Sequence, residues 1–355
     1  MQRRMKRALL ALAILSTALW ATHLLRQESE DATRAFPARP DSAVAHASQD
    51  IAGRQSQPTS NSRQNGIPRD TNASMAASPA FQDATDALEY IDELSNEEPL
   101  SARAMYFTGK MLKECEEAST AYFPVIEPSG GRQDVATAIA RLGTNVTECG
   151  ARRIERTWSR CQSYFERDGA RTHGDAQSWI ERASAAGDPS ASAVLGASLW
   201  SAGLQATQTR STTSTAGARP SPTQDIEIGL QLIERAAHSR DPEALSQLAL
   251  KAPFVSGKTS VDRGALILAS CQGDEACERN SELACYLSSA DPSLDSSLGV
   301  RKILETQNAG SEYEAMREKA ERVISTWSSA EVDELFIKPF RDLRDLVAKQ
   351  QSSRR

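Results

Sequence analysis

The chain of 355 residues is 39% hydrophobic and 25% charged, which is sufficient for a folded core. Aromatic residues make up only 5%, so the core must be built mainly from alanine and aliphatic side chains, which favours helices packed on helices. The net charge is −6, but the first 25 residues are basic and residues 26–80 are balanced, so residues 81–355 carry about ten negative charges. An acidic domain repels phosphate backbones, which argues against nucleic acid as a partner.

Residues 1–26 are predicted to form a signal anchor. A basic cluster precedes the apolar run Ala8–Leu25, whose 18 residues would span roughly 27 Å as a helix, close to the thickness of a bilayer core. The position of the basic residues favours a single pass through the inner or cell membrane, with the C-terminal part outside the cytoplasm, in the periplasm. The alternative is a signal peptide cleaved near Ser16-Thr17-Ala18 and secretion to the periplasm.

Residues 27–80 are predicted to be a disordered linker, because they are rich in Ser, Ala, Gln, Asn, Pro and Arg and offer little apolar area to bury. Helical periodicity begins at Phe81 and predicts an N-terminal helical region over residues 81–177. Its apolar positions form stripes in four segments, 84–95, 99–115, 135–146 and 154–165. No comparable run alternates with a period of two, so the predicted fold class is all-α.

Two similar segments follow this region. IERASAAGDPSASAVLG begins at Ile180, and IERAAHSRDPEALSQLAL begins at Ile233, 53 residues later. The polar Ser/Thr/Pro-rich segment 205–225 is predicted to be a loop insertion between them. Without it the period is about 35 residues, which is typical of two-helix repeats.

A turn is predicted at the same place in each segment. Gly187 can adopt the left-handed conformation that ends a helix, and Asp188 can accept hydrogen bonds from the free amides of the next one. Pro189 suits the first helical position, where no amide donor is needed. The dipeptide Asp241-Pro242 repeats this arrangement, but Arg240 takes the place of the glycine.

The pattern IERA…GDP.A…LG…W..G resembles Sel-one-type repeats, which are short tetratricopeptide-like helical hairpins. The resemblance covers residues 178–251 well and becomes faint on either side. It implies a short α-solenoid over residues 178–285, with capping helices over 286–355, used as a scaffold whose concave face binds partners. Two features depart from the pattern: Arg240, and the segment APFVSG from Ala252, which replaces the usual aromatic-rich end of the second helix.

Six cysteines in an exported domain predict disulfide bonds. They fall into two groups of three, so full oxidation requires at least one bridge between the groups: Cys115, Cys149 and Cys161, then Cys271, Cys277 and Cys285. The predicted local bridges are Cys149–Cys161 and Cys271–Cys277. No C-x-x-C motif is present and the four histidines are scattered, so neither a metal site nor a cofactor is predicted.

No catalytic motif of the common hydrolase, P-loop or zinc-protease types is present in the sequence. The sequence therefore predicts a non-catalytic, membrane-anchored extracytoplasmic scaffold for a protein or cell-envelope partner. The alternative is an enzyme or ligand-binding protein that acts on envelope material. Trp200, with Trp179 nearby, is predicted to border the partner-binding groove; the competing interpretation is that Trp200 packs in the core.

Overall fold

A computed structural model describes residues 81, 83–96, 98–122, 135, 139, 148–167, 169–209, 221–253, 260–271, 277, 281–289 and 298–353. All of them belong to one unit of the chain, Thr59–Arg355. The predicted signal anchor, 1–26, and the predicted linker, 27–80, lie outside the described residues.

Every regular element in the described ranges is a helix, which confirms the all-α prediction. The α-helices are α1 (Ala87–Ser95), α2 (Ala102–Tyr122), α3 (Glu148–Glu166), α4 (Gly169–His173), α5 (Ala176–Ala185), α6 (Pro189–Thr209), α7 (Pro222–His238), α8 (Pro242–Lys251), α9 (Ser260–Ser270), α10 (Glu282–Ser289), α11 (Val300–Gln307), α12 (Gly310–Thr326), α13 (Ser329–Val332) and α14 (Lys338–Ser352). A π-helical turn, Asp333–Ile337, joins α13 to α14. Within these ranges, no helix combines the length and apolar character needed to cross a bilayer.

The early helices share one apolar core. The buried faces of α1, α2 and α3 meet those of α5 and α6, and the core holds Phe81, Ile91, Phe107 and Met111 at 2% exposure or less. Three of the four stripes predicted from the sequence are thus the buried faces of α1, α2 and α3, and the fourth, 135–146, lies mostly outside the described residues. The bridge Cys115–Cys161 joins α2 to α3 across this core, with the two Cα atoms 5.4 Å apart.

A second core is built from α6 to α14. Helices α6 and α7 approach most closely at two glycines: a Cβ on Gly196 would lie 2.8 Å from the carbonyl oxygen of Gly229. That separation is too short for any side chain, so this crossing requires glycine. The predicted loop 205–225 is too long, because α6 continues to Thr209 and α7 begins at Pro222.

Trp200 belongs to this second core. Its side chain is 5% exposed, and its ring meets Phe340 of α14 edge to face, with 5.2 Å between centroids. The prediction that Trp200 borders a partner-binding groove is therefore wrong, because the described helices cover the ring. The competing core interpretation is correct, and the contact between Trp200 and Phe340 packs α14 against α6.

Three disulfides use all six cysteines. The predicted bridge Cys271–Cys277 is confirmed, with a Cα–Cα distance of 5.3 Å. The predicted bridge Cys149–Cys161 is wrong: Cys161 pairs with Cys115, and Cys149 pairs with Cys285. The last pair is the bridge between the two cysteine groups that the count required, and it links α3 to α10 with a Cα–Cα distance of 5.6 Å.

Candidate functional site

The first turn has the geometry that the sequence predicts. Gly187 is left-handed, with φ of +98°. The amide of Gly187 donates to Ser184 O at 3.1 Å and that of Asp188 to Ala183 O at 2.9 Å, which closes α5 with a Schellman motif. Asp188 Oδ1 then accepts from the amide of Ala191 at 2.7 Å, which caps the N-terminus of α6.

The second turn repeats the cap but not the glycine. Asp241 Oδ1 accepts from the amide of Ala244 at 2.7 Å, and Pro242 is the first residue of α8. Arg240 adopts a left-handed φ of +61°, which is costly for a residue with a side chain. Its guanidinium lies over the ring of Trp327 at 5.1 Å from the centroid, a contact that offsets part of this cost.

One arginine of α2 connects the two turns. Arg103 Nη1 lies 3.5 Å from Asp188 Oδ2 and 3.4 Å from Asp241 Oδ1. It also donates to Ser190 Oγ at 2.7 Å, and that hydroxyl donates to Asp241 Oδ1 at 2.8 Å. The two capping aspartates, 53 residues apart in the chain, therefore share one guanidinium that is only 11% exposed.

A second cluster on the same face of α2 surrounds Glu243 of α8. Its Oε1 accepts hydrogen bonds from Tyr106 Oη at 2.8 Å and from Lys110 Nζ at 2.7 Å. Gln247 Nε2 also donates to this oxygen, at 3.2 Å. Together the two clusters, which we call the α2 network, comprise Arg103, Tyr106, Lys110, Asp188, Ser190, Asp241, Glu243 and Gln247.

Two carboxylates of the α2 network, Asp188 and Glu243, have opposite pKa shifts. Burial raises the pKa of Asp188 to about 6, since desolvation outweighs the attraction of Arg103 and the hydrogen bond from Ala191. Glu243 is also buried, but the charge and hydrogen bond of Lys110 lower its pKa to about 2. The difference arises because Asp188 shares its cation with Asp241, whereas Glu243 has both Lys110 and the Tyr106 hydroxyl as donors.

A cavity of about 400 Å³ opens beside the α2 network. Its walls come from α2, α3, α5, α6, α8 and α10, and they carry both signs of charge as well as apolar side chains. The lining residues that matter below are Lys110, Glu114, Arg153, Ile180, Val194, Gln247, Leu250 and Glu282. Cys285 of the bridge to Cys149 forms part of the same wall, so a covalent bond holds α10 against α3 at the cavity.

The remaining predicted site residue, Trp179, is half-buried at the edge of the first core. Its Nε1 donates to His173 O at 2.7 Å, and Arg182 stacks over its ring at 3.7 Å. The ring thus has local partners on one face and lies outside the cavity lining. No cluster of three or more metal-ligating side chains occurs within the described ranges.

The α2 residues of the network were missed in the sequence. The signal was their spacing: Arg103, Tyr106 and Lys110 recur at three and four residues, so they lie on one face of a helix.

Comparison of the chain with protein-family models, with curated proteins and with solved structures finds no match.

Proposed function

We propose that this chain is a membrane-anchored, extracytoplasmic repeat scaffold of the Sel-one, tetratricopeptide-like type, which binds a protein or envelope partner without catalysing a reaction. The cavity beside the α2 network carries this proposal. It lies where α5, α6 and α8 meet α2, and its charged lining gives a partner specific contacts. The recurring turn, with a capping aspartate and a proline at the same position twice, supports the repeat assignment.

A binding role fits the protonation state of Glu243, the carboxylate of the network that lies beside the cavity. Lys110 and Tyr106 hold Glu243 as a carboxylate with a lowered pKa, so at neutral pH this group is a poor proton donor. Fixed charges that do not titrate near neutrality suit recognition better than acid–base chemistry. The pairing of all six cysteines supports an oxidising compartment, in agreement with export of this part of the chain.

The second candidate is a ligand-binding protein or enzyme acting on envelope material. The size of the cavity favours this candidate, since about 400 Å³ lies within the range of small-molecule sites. Glu114 lines the cavity, and burial raises its pKa. A raised carboxyl pKa is a common property of catalytic acids, so this group also favours the second candidate.

The proposal is tested by affinity capture of the tagged full-length protein from cross-linked membranes. Deletion of residues 178–251 would remove α5 to α8 and destroy both cores, so a point variant in the cavity is a better probe. Glu282→Gln changes a side chain that is 40% exposed and lines the cavity, and Glu305→Gln changes a 51% exposed glutamate of α11 as the control. We expect Glu282→Gln to reduce capture of an exported or membrane partner and Glu305→Gln to leave it unchanged. Capture of no specific partner by the wild-type protein would overturn the scaffold proposal.

A further inference from the structure

The inner wall of the cavity presents a buried ammonium group. The Lys110 side chain is 15% exposed, and its Nζ donates to Glu243 Oε1 at 2.7 Å. An ammonium has three N–H donors. Within the described part of the chain this is the only hydrogen bond of the Lys110 side chain, and its Nζ also lies 4.8 Å from the centroid of the Phe81 ring, so at most two donors remain for a group bound in the cavity. That group must be an acceptor, and a carboxylate suits it best because it also adds a favourable charge.

Three carboxylates line the cavity, Glu114, Glu117 and Glu282, and the charges of Glu114 and Glu282 act on this ammonium. Glu114 Oε2 accepts from Arg160 Nη1 at 3.1 Å, and Glu282 Oε1 lies 3.8 Å from Arg153 Nη2, beyond hydrogen-bonding distance. Glu114 is incompletely compensated: burial and the negative charge of Glu282 raise its pKa despite Arg160 and Lys110. A cation placed between these two carboxylates would therefore be stabilised by both.

The lining carries four cationic side chains, Lys110, Lys113, Arg153 and Lys251, and three carboxylates, Glu114, Glu117 and Glu282, so it favours a ligand with both signs of charge. A phosphate or another dianion held by Lys110 would lie close to Glu114 and Glu282 and would be repelled by them. A polyamine at the two glutamates would in turn approach Lys110 and Arg153. A ligand that carries one charge of each sign avoids both conflicts, and the apolar residues Ile180, Val194 and Leu250 leave room for a side chain.

We propose that this cavity binds a small zwitterion with a primary ammonium and a carboxylate, which is the chemistry of a free amino acid or a short peptide. Glu114 and Glu282 hold the ammonium, Lys110 holds the carboxylate, and the apolar wall contacts the aliphatic part. This inference rests on the proposed binding function and names the ligand class for the same site.

The test is saturation-transfer NMR on the purified full-length protein with defined probes at millimolar concentration. One arm uses the free L-amino acids, and the other uses Ala-Ala and Ala-Ala-Ala, so the two sources of the zwitterion are distinguished. Each binding probe is then compared with its N-acetylated and its C-amidated form. We expect each capped form to bind about tenfold more weakly, because one charge-assisted contact is lost.

The protein side of the contact is tested with Glu282→Gln, which should weaken the uncapped probe about tenfold and leave the N-acetylated probe unaffected. Glu305→Gln is the matched control and should bind like the wild type. Lys110→Met alone would leave Glu243 without its cation, so the carboxylate contact is tested with Lys110→Met/Glu243→Gln, after thermal unfolding shows that this double variant folds. Equal binding of capped and uncapped probes, or no binding by either arm, would overturn the proposal.

The two proposals fail in different ways. If a captured partner depends on Glu282 but no amino acid or peptide binds, the ligand class is wrong and the scaffold remains. If a zwitterion binds but no partner is captured, the cavity is a ligand site and the scaffold proposal is wrong.

Discussion

The two turns, Gly187-Asp188-Pro189 and Arg240-Asp241-Pro242, use the same cap in two different environments. The first has glycine in the left-handed position and an aspartate that is 3% exposed. The second has an arginine in that position and an aspartate that is 14% exposed. The first turn is thus unstrained and has the more deeply buried aspartate, whereas the second is strained and its aspartate is more accessible to water.

The residue two positions after each aspartate also differs between the two turns, in its identity and in its partners. Ser190 accepts a hydrogen bond from Arg103. Its counterpart, Glu243, accepts hydrogen bonds from Tyr106 and Lys110 and lies beside the cavity. A repeated local sequence therefore fixes the helix start, and the residues that differ within it decide whether a turn contacts the cluster around Arg103 alone or also the side chains beside the cavity.

The largest expected effect comes from the residue that links the turns. Arg103→Met would leave Asp188 and Asp241 buried without their shared cation, so the free energy of unfolding should fall by about 3–5 kcal/mol. Urea denaturation measures this change. Arg317→Met is the control, because Arg317 forms exposed pairs within α12, and its loss should cost less than about 0.5 kcal/mol. Similar losses in both variants would show that Arg103 does not join the turns.

A pH titration separates the first turn from the second. The pKa of Asp188 is raised to about 6, so the folded state holds this proton more tightly than the unfolded chain does. The resulting stabilisation is complete below the ordinary value of 3.8 and is lost as the pH rises through about 6. Asp188→Asn keeps a capping side chain but does not titrate. The stability of the wild type relative to Asp188→Asn should therefore fall by about 3 kcal/mol across this window. Parallel pH profiles would contradict the assignment.

The glycine of the first turn should have a smaller effect. A Cβ on Gly187 meets no atom within 4 Å, so Gly187→Ala tests the left-handed backbone alone and should cost about 1–2 kcal/mol. Gly310→Ala is the matched control, since that position is also open but does not have a positive φ. Thermal unfolding of both variants measures the difference. An unchanged midpoint for Gly187→Ala would show that the left-handed backbone at the first turn does not require glycine.

The smallest net effect is expected at the corresponding arginine. Arg240→Gly relieves about 1 kcal/mol of backbone strain but loses the contact with Trp327, about 0.5–1 kcal/mol, so stability should change by less than about 0.5 kcal/mol. Arg240→Ala keeps the strain and loses the contact, so it should be less stable than Arg240→Gly. The opposite order, measured in urea, would show that the backbone is not strained there.

Local features of this fold could be predicted from the sequence because each depends on neighbouring residues. The caps at Asp188 and Asp241 and the helix stripes are of this kind. The partners of Arg103 could not be predicted, since they depend on how α2 packs against helices 85 and 138 residues away. Likewise, Cys149 and Cys161 are close in the sequence, but both lie on α3, and a helix keeps two residues at that spacing apart. Their partners, Cys285 and Cys115, lie on α10 and α2.

The bridge between Cys149 and Cys285 also determines how this domain would carry a load. It closes a covalent loop with a sequence separation of 136 residues, and both turns lie inside it. Tension applied to the two ends of the chain would pass from α3 to α10 through the sulfur atoms and bypass the hairpins. A force applied at either end would thus stretch the outer helices first, while α5 to α8 stay outside the path of the force.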